Sequence, residues 1–255
     1  MENCDYHVII LAAGTSRRLA ALTKDHPKSF LTIKNKRIME YHLDYLNERG
    51  FKFVTIVVGY LKDRIINTIK TRYNNLDINY VVSDEYATTG HGWSIFLTRK
   101  AWEKYNRPVI LLHSDIFYDP TILDKVLESN YGDVVAVDEN YKVITGDEVV
   151  VTGKNKVMSG FRWGVTRGAE DIAGEIIGIN KWSAEFMEKF YVFMGEFFSQ
   201  NGNNFNYEAI LDQFIKEKKV VLHYIPSGGL PWVNINYPED YFRANDTIFK
   251  HIFEK

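Results

Sequence analysis

The chain has 255 residues, a formal net charge of −2 and one cysteine, Cys4. This length predicts a single domain over residues 1–255 that can bury a substantial core. The balanced charge argues against a nucleic-acid-binding protein, which would carry a strong basic excess, and one cysteine excludes an internal disulfide. The first apolar run is too short for a signal peptide, and no run reaches the roughly 20 residues that span a bilayer, so we expect a cytoplasmic protein.

The first half of the chain alternates short β-branched runs with amphipathic stretches. Strands are predicted at residues 7–11, 53–58, 79–82, 109–112 and 133–137. Helices are predicted at residues 38–49, 61–73, 93–105 and 120–129. This order is typical of an α/β fold whose mostly parallel, Rossmann-like sheet is flanked by helices. Because ligands bind beyond the carboxyl ends of such strands, the loops after the first, third and fourth strands should meet at one site.

The second half of the chain mixes element types. Short runs separated by Gly146, Gly153 and Gly160 predict a small antiparallel insertion at about residues 141–165. Later strands are predicted at residues 175–180, 220–225 and 232–235, and helices at residues 184–198, 207–218 and 238–253.

The stretch most informative about function is residues 8–19, VIILAAGTSRRL, followed by Lys28. A buried strand that leads into small residues and Gly14 lets the backbone approach a phosphate closely. Arg18 and Lys28 carry the cations best suited to polyphosphate oxygens. The strand and glycine alone also fit a core strand followed by a solvated basic turn, but the returning lysine favours a phosphate site.

With the sequence PKSF at residues 27–30, this stretch resembles the signature of nucleotidyltransferases that join an NTP to a phosphorylated small molecule. These are the sugar-1-phosphate nucleotidyltransferases and the cytidylyltransferases acting on phosphocholine-like phosphates. The resemblance implies a glycine-rich loop around the NTP phosphates, with Arg18 stabilising the transferring phosphate and Lys28 contacting the phosphates. Ser16 departs from the family, which often has glycine there. The nucleotide-binding residues expected on this basis are Leu11, Ala12, Ala13, Gly14, Thr15, Ser16, Thr88, Thr89, Gly90 and Ser114.

Transfer from an NTP requires a divalent cation, and Mg²⁺ prefers oxygen ligands. Asp115 follows the fourth predicted strand, where the family has its first metal-binding aspartate, although a turn aspartate is the alternative. The late motif that begins at Trp232 has Asn236 where phosphocholine-type members bind metal with an acid, and Asn234 at an earlier acidic position. Asn236 predicts a weaker Mg²⁺ site or recruitment of another carboxylate such as Glu175, and its alternative role is to cap the last helix.

The acceptor-binding candidates are Glu175, Arg162, Trp163 and Trp232. By resemblance, Glu175 lies on the strand that precedes the substrate pocket, and its alternative is an ion pair with Arg162. An aromatic wall of tryptophans, Trp182 included, would favour an amine on the acceptor through cation–π attraction, and the alternative is that these rings are core. His91 is expected in a pocket wall or at the surface rather than as a base, because the acceptor phosphate is already an anion.

Three hypotheses follow from the resemblance. The first is a Mg²⁺-dependent cytidylyltransferase that converts CTP and a small phosphorylated alcohol, amine or phosphonate to a CDP-linked product and pyrophosphate. The second keeps the reaction but uses a sugar 1-phosphate and another NTP. The third is a nucleotide-binding protein that has lost turnover, motivated by Asn234 and Asn236. The expected partners are the NTP and the acceptor but no nucleic acid, and the expected state is a monomer or homodimer.

Overall fold

The computed structural model describes residues 2–142, 146, 148–164, 171–218 and 220–254. In these ranges the strands are β1 (His7–Ala12), β2 (Thr32–Ile33), β3 (Lys36–Arg37), β4 (Phe53–Val58), β5 (Asp77–Val82), β6 (Val109–His113), β7 (Ile116–Tyr118), β8 (Val134–Asp138), β9 (Val149–Lys154), β10 (Val157–Trp163), β11 (Ile172–Trp182), β12 (His223–Pro226) and β13 (Trp232–Asn234). The α-helices are α1 (Ala20–Thr23), α2 (Ile38–Glu48), α3 (Lys62–Ile69), α4 (His91–Leu97), α5 (Arg99–Glu103), α6 (Thr121–Glu128), α7 (Ala184–Asn201), α8 (Tyr207–Lys218), α9 (Pro238–Arg243) and α10 (Phe249–Phe253).

The main sheet has the strand order β5-β4-β1-β6-β11-β8-β12-β10-β9. Strands β5, β4, β1 and β6 are parallel, as predicted for the first half of the chain. Strand β11 is antiparallel to both β6 and β8, and its pairing with β9 closes β11-β8-β12-β10-β9 into a ring. The α/β class is therefore confirmed, but the sheet as a whole is mixed rather than mostly parallel.

Strand β11 explains why the prediction of strand direction fails in the second half. Its register against β8 shifts between Ile176 and Asn180, and Gly178 within that shift has a φ of +84°. Glycine adopts this conformation without a Cβ clash, so the strand can bend from the open sheet into the ring. A β-branched run shows that a strand forms but does not show the direction in which it pairs.

Helices cover both faces of the sheet. Val8 and Ile10 of β1 point into a core shared with α2, α3 and α6, whereas Ile9 points into a core shared with α4, α5, α7 and α8. This alternation is what a strand buried on both faces requires. A third, smaller core joins Leu19 and Leu31 to the C-terminal helices, and it brings the C-terminal segment beside the loop that follows β1.

Several predicted elements differ in detail from the observed ones. The single helix expected at residues 93–105 is two helices, because the Thr98 side chain donates to the carbonyl of Ile95 (2.6 Å) and the first helix ends there. The helix expected at residues 238–253 contains a π-helical turn, Ala244–Ile248. Strands β9 and β10 form the expected antiparallel pair, whereas residues 143–145, 147 and 165 of the predicted insertion lie outside the described residues.

None of the described helices is long and apolar enough to span a membrane. The single-domain assignment stays a prediction.

Candidate active site

A cavity of about 160 Å³, the loop cavity, lies at the carboxyl ends of β1 and β6. The two strands are parallel neighbours, so the loops that follow them meet at this edge, as the sequence predicts. The predicted site residues among its lining are Leu11, Ala12, Ala13, Gly14, Ser16, Lys28, Thr89, Gly90, Ser114 and Asp115.

Ser16 gives the loop its turn in an unfavourable conformation for a residue with a Cβ. Its φ is +54°, in the left-handed region, and its carbonyl accepts the backbone N–H of Leu19 (2.9 Å). Glycine, which the resemblance implies at this position, would reach this conformation without strain, whereas other residues do so at a cost of roughly 1 kcal/mol.

Lys28 joins two of the predicted groups. Its ammonium donates to Asp115 Oδ2 (2.6 Å) and to Asn236 Oδ1 (2.9 Å). Strand β13 brings Asn236 here by pairing with β7 and by an Ile235 N–H bond to the Asp115 carbonyl (3.0 Å). The Asp240 carboxylate fixes the turn by accepting the backbone N–H groups of Asn236 (3.0 Å) and of the next residue (2.9 Å).

Arg18 approaches the same point from the other side of the loop. Its guanidinium donates to Asn236 Oδ1 (3.3 Å) and to the Tyr237 hydroxyl (3.1 Å), and its carbon lies 5.0 Å from the centre of the Tyr237 ring. The cation–π contact orients an otherwise exposed arginine. The fold therefore brings together at one site three residues that are separated in the sequence, Arg18, Lys28 and Asp115.

The electrostatics keep Asp115 ionised. Burial raises the pKa of the carboxyl, but the positive charge of Lys28 and the neighbouring His113 outweigh this and hold the pKa at about 2. The carboxylate of Asp115 and the amide oxygen of Asn236 converge on a single cation, the Lys28 ammonium. Two convergent oxygens of this kind fit a Mg²⁺ site that is completed by waters and phosphates.

A second cavity of about 610 Å³, the acid-rich cavity, continues from this locus towards the ring of strands. Its acidic lining residues are Asp115, Asp138, Glu148, Glu175, Glu208 and Asp240. Its cationic lining residues are Arg18, Lys142 and Arg243. His91, His113 and Asp115 line both cavities, so a ligand in one can touch a ligand in the other.

Two of the predicted acceptor residues line the acid-rich cavity. Burial raises the pKa of Glu175 to about 8, helped by the negative charges of Glu148 and Asp138. Trp232 donates its indole N–H to Asp138 Oδ2 (3.0 Å), which fixes the ring in the cavity wall.

Four of the predicted site residues, and the Trp182 ring expected in an aromatic wall, do not line either cavity. Arg162 forms a two-point ion pair with Asp171 rather than with Glu175, and Trp163 beside it is 47% exposed. Neither lines the acid-rich cavity, because both are on β10 at the far side of the ring. Trp182 is fully buried in the core. Thr15 and Thr88 are not among the lining residues of the loop cavity.

Sequence reasoning missed Glu208 and gave no role to His113. With His91 they form a cluster whose candidate ligand atoms lie within 4.8 Å of one another. His91 Nδ1 accepts the Tyr207 N–H (3.3 Å), which leaves the ring proton on Nε2, 3.4 Å from the Glu208 carboxylate. Because a protonated Nε2 offers no lone pair to a metal, the cluster is a polar wall between the cavities. His113 was detectable beside Asp115, whereas Glu208 lies on a helix 93 residues further on and gave no local signal.

Comparison with known proteins gives consistent matches. The profile of the nucleotidyl transferase family matches residues 7–156. The chain is 26% identical to a CTP:phosphoglutamine cytidylyltransferase of Campylobacter jejuni, over 73% of this chain and 77% of that protein. It is 27% identical to a choline-phosphate cytidylyltransferase of Streptococcus pneumoniae, over 82% of this chain and 87% of that protein.

Solved structures give the same picture for the fold. The structure of a CTP:phosphocholine cytidylyltransferase from Streptococcus pneumoniae superposes with a TM-score of 0.74 at 21% identity, covering 95% of this chain and 98% of that chain. The overall fold is therefore shared with a solved protein.

Proposed function

The chain belongs to the nucleotidyl transferase family, and on that premise we propose that it transfers a cytidylyl group from CTP to a small phosphorylated acceptor that carries a positive charge. The observation that carries the proposal is the meeting of Arg18, Lys28, Asp115 and Asn236 at the boundary between the two cavities. Similarity to two cytidylyltransferases supports cytidine as the nucleoside.

In the proposed reaction, an oxygen of the acceptor phosphate forms a bond to the α-phosphorus of CTP. The bond between the α-phosphorus and its bridging oxygen to the β-phosphorus breaks, and pyrophosphate leaves with that electron pair. Arg18 and Lys28 stabilise the negative charge that develops on the transferring phosphate. Asp115 and Asn236 would hold a Mg²⁺, which supplies further neutralisation of the triphosphate. The acceptor phosphate is ionised at neutral pH, so the residues need not remove a proton.

The charge of the acid-rich cavity supports the positive group on the acceptor. Six acidic residues line it against three cationic ones, and Arg18 faces the phosphates in this proposal. Burial raises the pKa of Glu175 to about 8 and that of Glu208 to about 7, so a positive group bound beside them would favour their ionised forms. The indole of Trp232 offers a face for a cation–π contact, and Glu175 offers a carboxyl. A sugar phosphate, which has no positive group, would bring no opposite charge to this acidic lining.

The test is pyrophosphate release from CTP, UTP, GTP and ATP, each with phosphocholine, phosphoethanolamine or glucose 1-phosphate, in Mg²⁺. We expect release with CTP and the amine-bearing phosphates. Substituting Lys28→Met should lower kcat by about 100-fold, as for loss of one preorganised charge-stabilising donor. The matched control is Lys62→Met, which removes the same charge from an exposed pair with Asp84 and should leave turnover unchanged.

Other outcomes separate the rival hypotheses. Release with glucose 1-phosphate alone would replace the proposal with a sugar-1-phosphate nucleotidyltransferase. Binding of an NTP without release for any pair would favour a protein that has lost turnover.

A further inference from the structure

The structure has a cation of its own at the point where the metal is expected. The Lys28 ammonium lies 2.6 Å from Asp115 Oδ2 and 2.9 Å from Asn236 Oδ1. The lysine side chain is only 13% exposed and that of Asp115 26% exposed, so this ion pair is poorly screened by solvent. A metal that used the same two oxygens would meet the ammonium at close range, where two positive charges repel strongly.

Lys28 has another place to put its charge. It lines the loop cavity together with Gly14 and Ser16, the turn that would hold the phosphates. Triphosphate oxygens in that cavity would compete with Asp115 for the ammonium, since phosphate is a strong acceptor for a lysine. Movement of Lys28 towards them would release the Asp115 and Asn236 oxygens at the moment when the triphosphate also needs a counter-cation.

We propose that Lys28 is an internal counter-cation that keeps divalent metal off Asp115 and Asn236 until a nucleoside triphosphate draws its ammonium away. Metal and nucleotide then bind together, and each strengthens the binding of the other by the same factor. The inference rests on the metal ligands of the proposed function. Arg18 also touches Asn236, at 3.3 Å, but it is exposed. Lys28 is closer to Asn236, at 2.9 Å, and reaches Asp115 at 2.6 Å, so Lys28 carries the exclusion.

The test is binding of Mn²⁺, followed by its electron paramagnetic resonance signal, to the nucleotide-free protein. Mn²⁺ accepts the same oxygen ligands as Mg²⁺ and reports binding without turnover. We expect the wild type and Asp115→Asn to bind Mn²⁺ equally weakly, because Lys28 already occupies the site. In Lys28→Gln and Lys28→Met, Mn²⁺ should bind at least about tenfold more tightly. Adding Asp115→Asn to either variant should abolish that gain, and Lys62→Met should behave as wild type.

Tight Mn²⁺ binding by the nucleotide-free wild type that Asp115→Asn removes would overturn the inference, and this comparison needs no Lys28 variant to fold. The absence of a gain in Lys28→Gln with an unchanged circular dichroism spectrum would also overturn it. Pyrophosphate release by the wild type decides the proposed function separately. If the wild type releases pyrophosphate and also binds Mn²⁺ through Asp115 in the absence of nucleotide, the inference is wrong and the proposed function is still supported.

Discussion

Asn236 stands where the resemblance to phosphocholine-type cytidylyltransferases implies a metal-binding acid. Its side-chain oxygen faces two cations, Lys28 at 2.9 Å and Arg18 at 3.3 Å, so the amide is oriented as a metal ligand would be. The amide carries no charge, which predicts a weak metal site. Asn236→Asp should therefore lower the Mg²⁺ concentration at half-maximal pyrophosphate release by roughly 3–10-fold, equivalent to about 0.7–1.4 kcal/mol.

The control for this substitution is Asn140→Asp, which adds the same charge at an exposed position of the acid-rich cavity away from Lys28. It should leave the Mg²⁺ requirement unchanged. If the two variants shift the Mg²⁺ requirement equally, the shift comes from the negative charge that each adds to the cavity, and Asn236 has no role as a metal ligand.

Residues of the site that follow one another in sequence could be predicted, whereas those that meet through the fold could not. Asp115 and the loop of residues 11–16, apart from Thr15, were predictable because a strand and the residues just after it mark the edge where ligands bind. Tyr237 was not assigned a role, because its contact with Arg18 spans 219 positions and nothing local signals it. Arg162 is a different case, because its partner Asp171 is only nine positions away, and the local sequence does not show that it pairs with Asp171 rather than with Glu175.

At the scale of elements, the start of α4 is clamped to the segment before α8. Gly90 N–H donates to the Asn203 carbonyl and Gly92 N–H to the Phe205 carbonyl, both at 3.1 Å. A Cβ on Gly90 would overlap the Phe205 backbone. We expect Gly90→Ala to lower the free energy of unfolding by about 1–3 kcal/mol, the usual effect of overpacking, and to raise KM for CTP because Gly90 lines the loop cavity.

Urea denaturation and steady-state kinetics check this expectation. Gly132→Ala is the matched control, because its Cβ would meet only the Ser183 Cβ, at an ordinary 3.9 Å. It should change the free energy of unfolding by less than about 0.5 kcal/mol. Equal stability of the two variants would show that the clamp is loose.

A helix or strand can be predicted when the local sequence pattern alone decides whether it forms and where it ends. Strands β1, β4 and β6 were predicted closely because each is a buried run of β-branched and aliphatic residues. The ring was not predicted, because closure depends on the pairing of β11 with β9 across a chain reversal. The break at Thr98 depends partly on the Tyr191 hydroxyl, 2.7 Å from the threonine hydroxyl and 93 positions away.

For the whole molecule, the parallel strands carry the loop cavity, and the ring carries much of the acid-rich cavity. A chain with a net charge of only −2 therefore concentrates acidic residues in one cavity.

Burial is the main reason that the pKa of Glu175 rises from 4.5 to about 8 in the folded chain. The charges of Glu148 and Asp138 add to this rise, and that of Arg243 opposes it. Between these two pH values the folded chain keeps a proton that the unfolded chain has released. Linkage then requires that the free energy of unfolding fall as the pH rises through this window, and below pH 4.5 both states are protonated and the effect vanishes.

Glu175→Gln removes this titration while keeping the shape of the side chain, so the variant should gain stability over wild type as the pH rises from 5 to 8.5. The difference in unfolding free energy should grow by at least about 1 kcal/mol, close to the equivalent of one pKa unit. Urea denaturation at the two pH values measures it, and the change common to all other groups cancels in the difference. Glu254→Gln, at an exposed position near the C-terminus, should show no such growth. A difference that stays constant with pH would mean that Glu175 is already ionised in the folded chain. The cavity would then offer a positively charged acceptor a full negative charge, rather than a carboxyl that ionises when the acceptor binds.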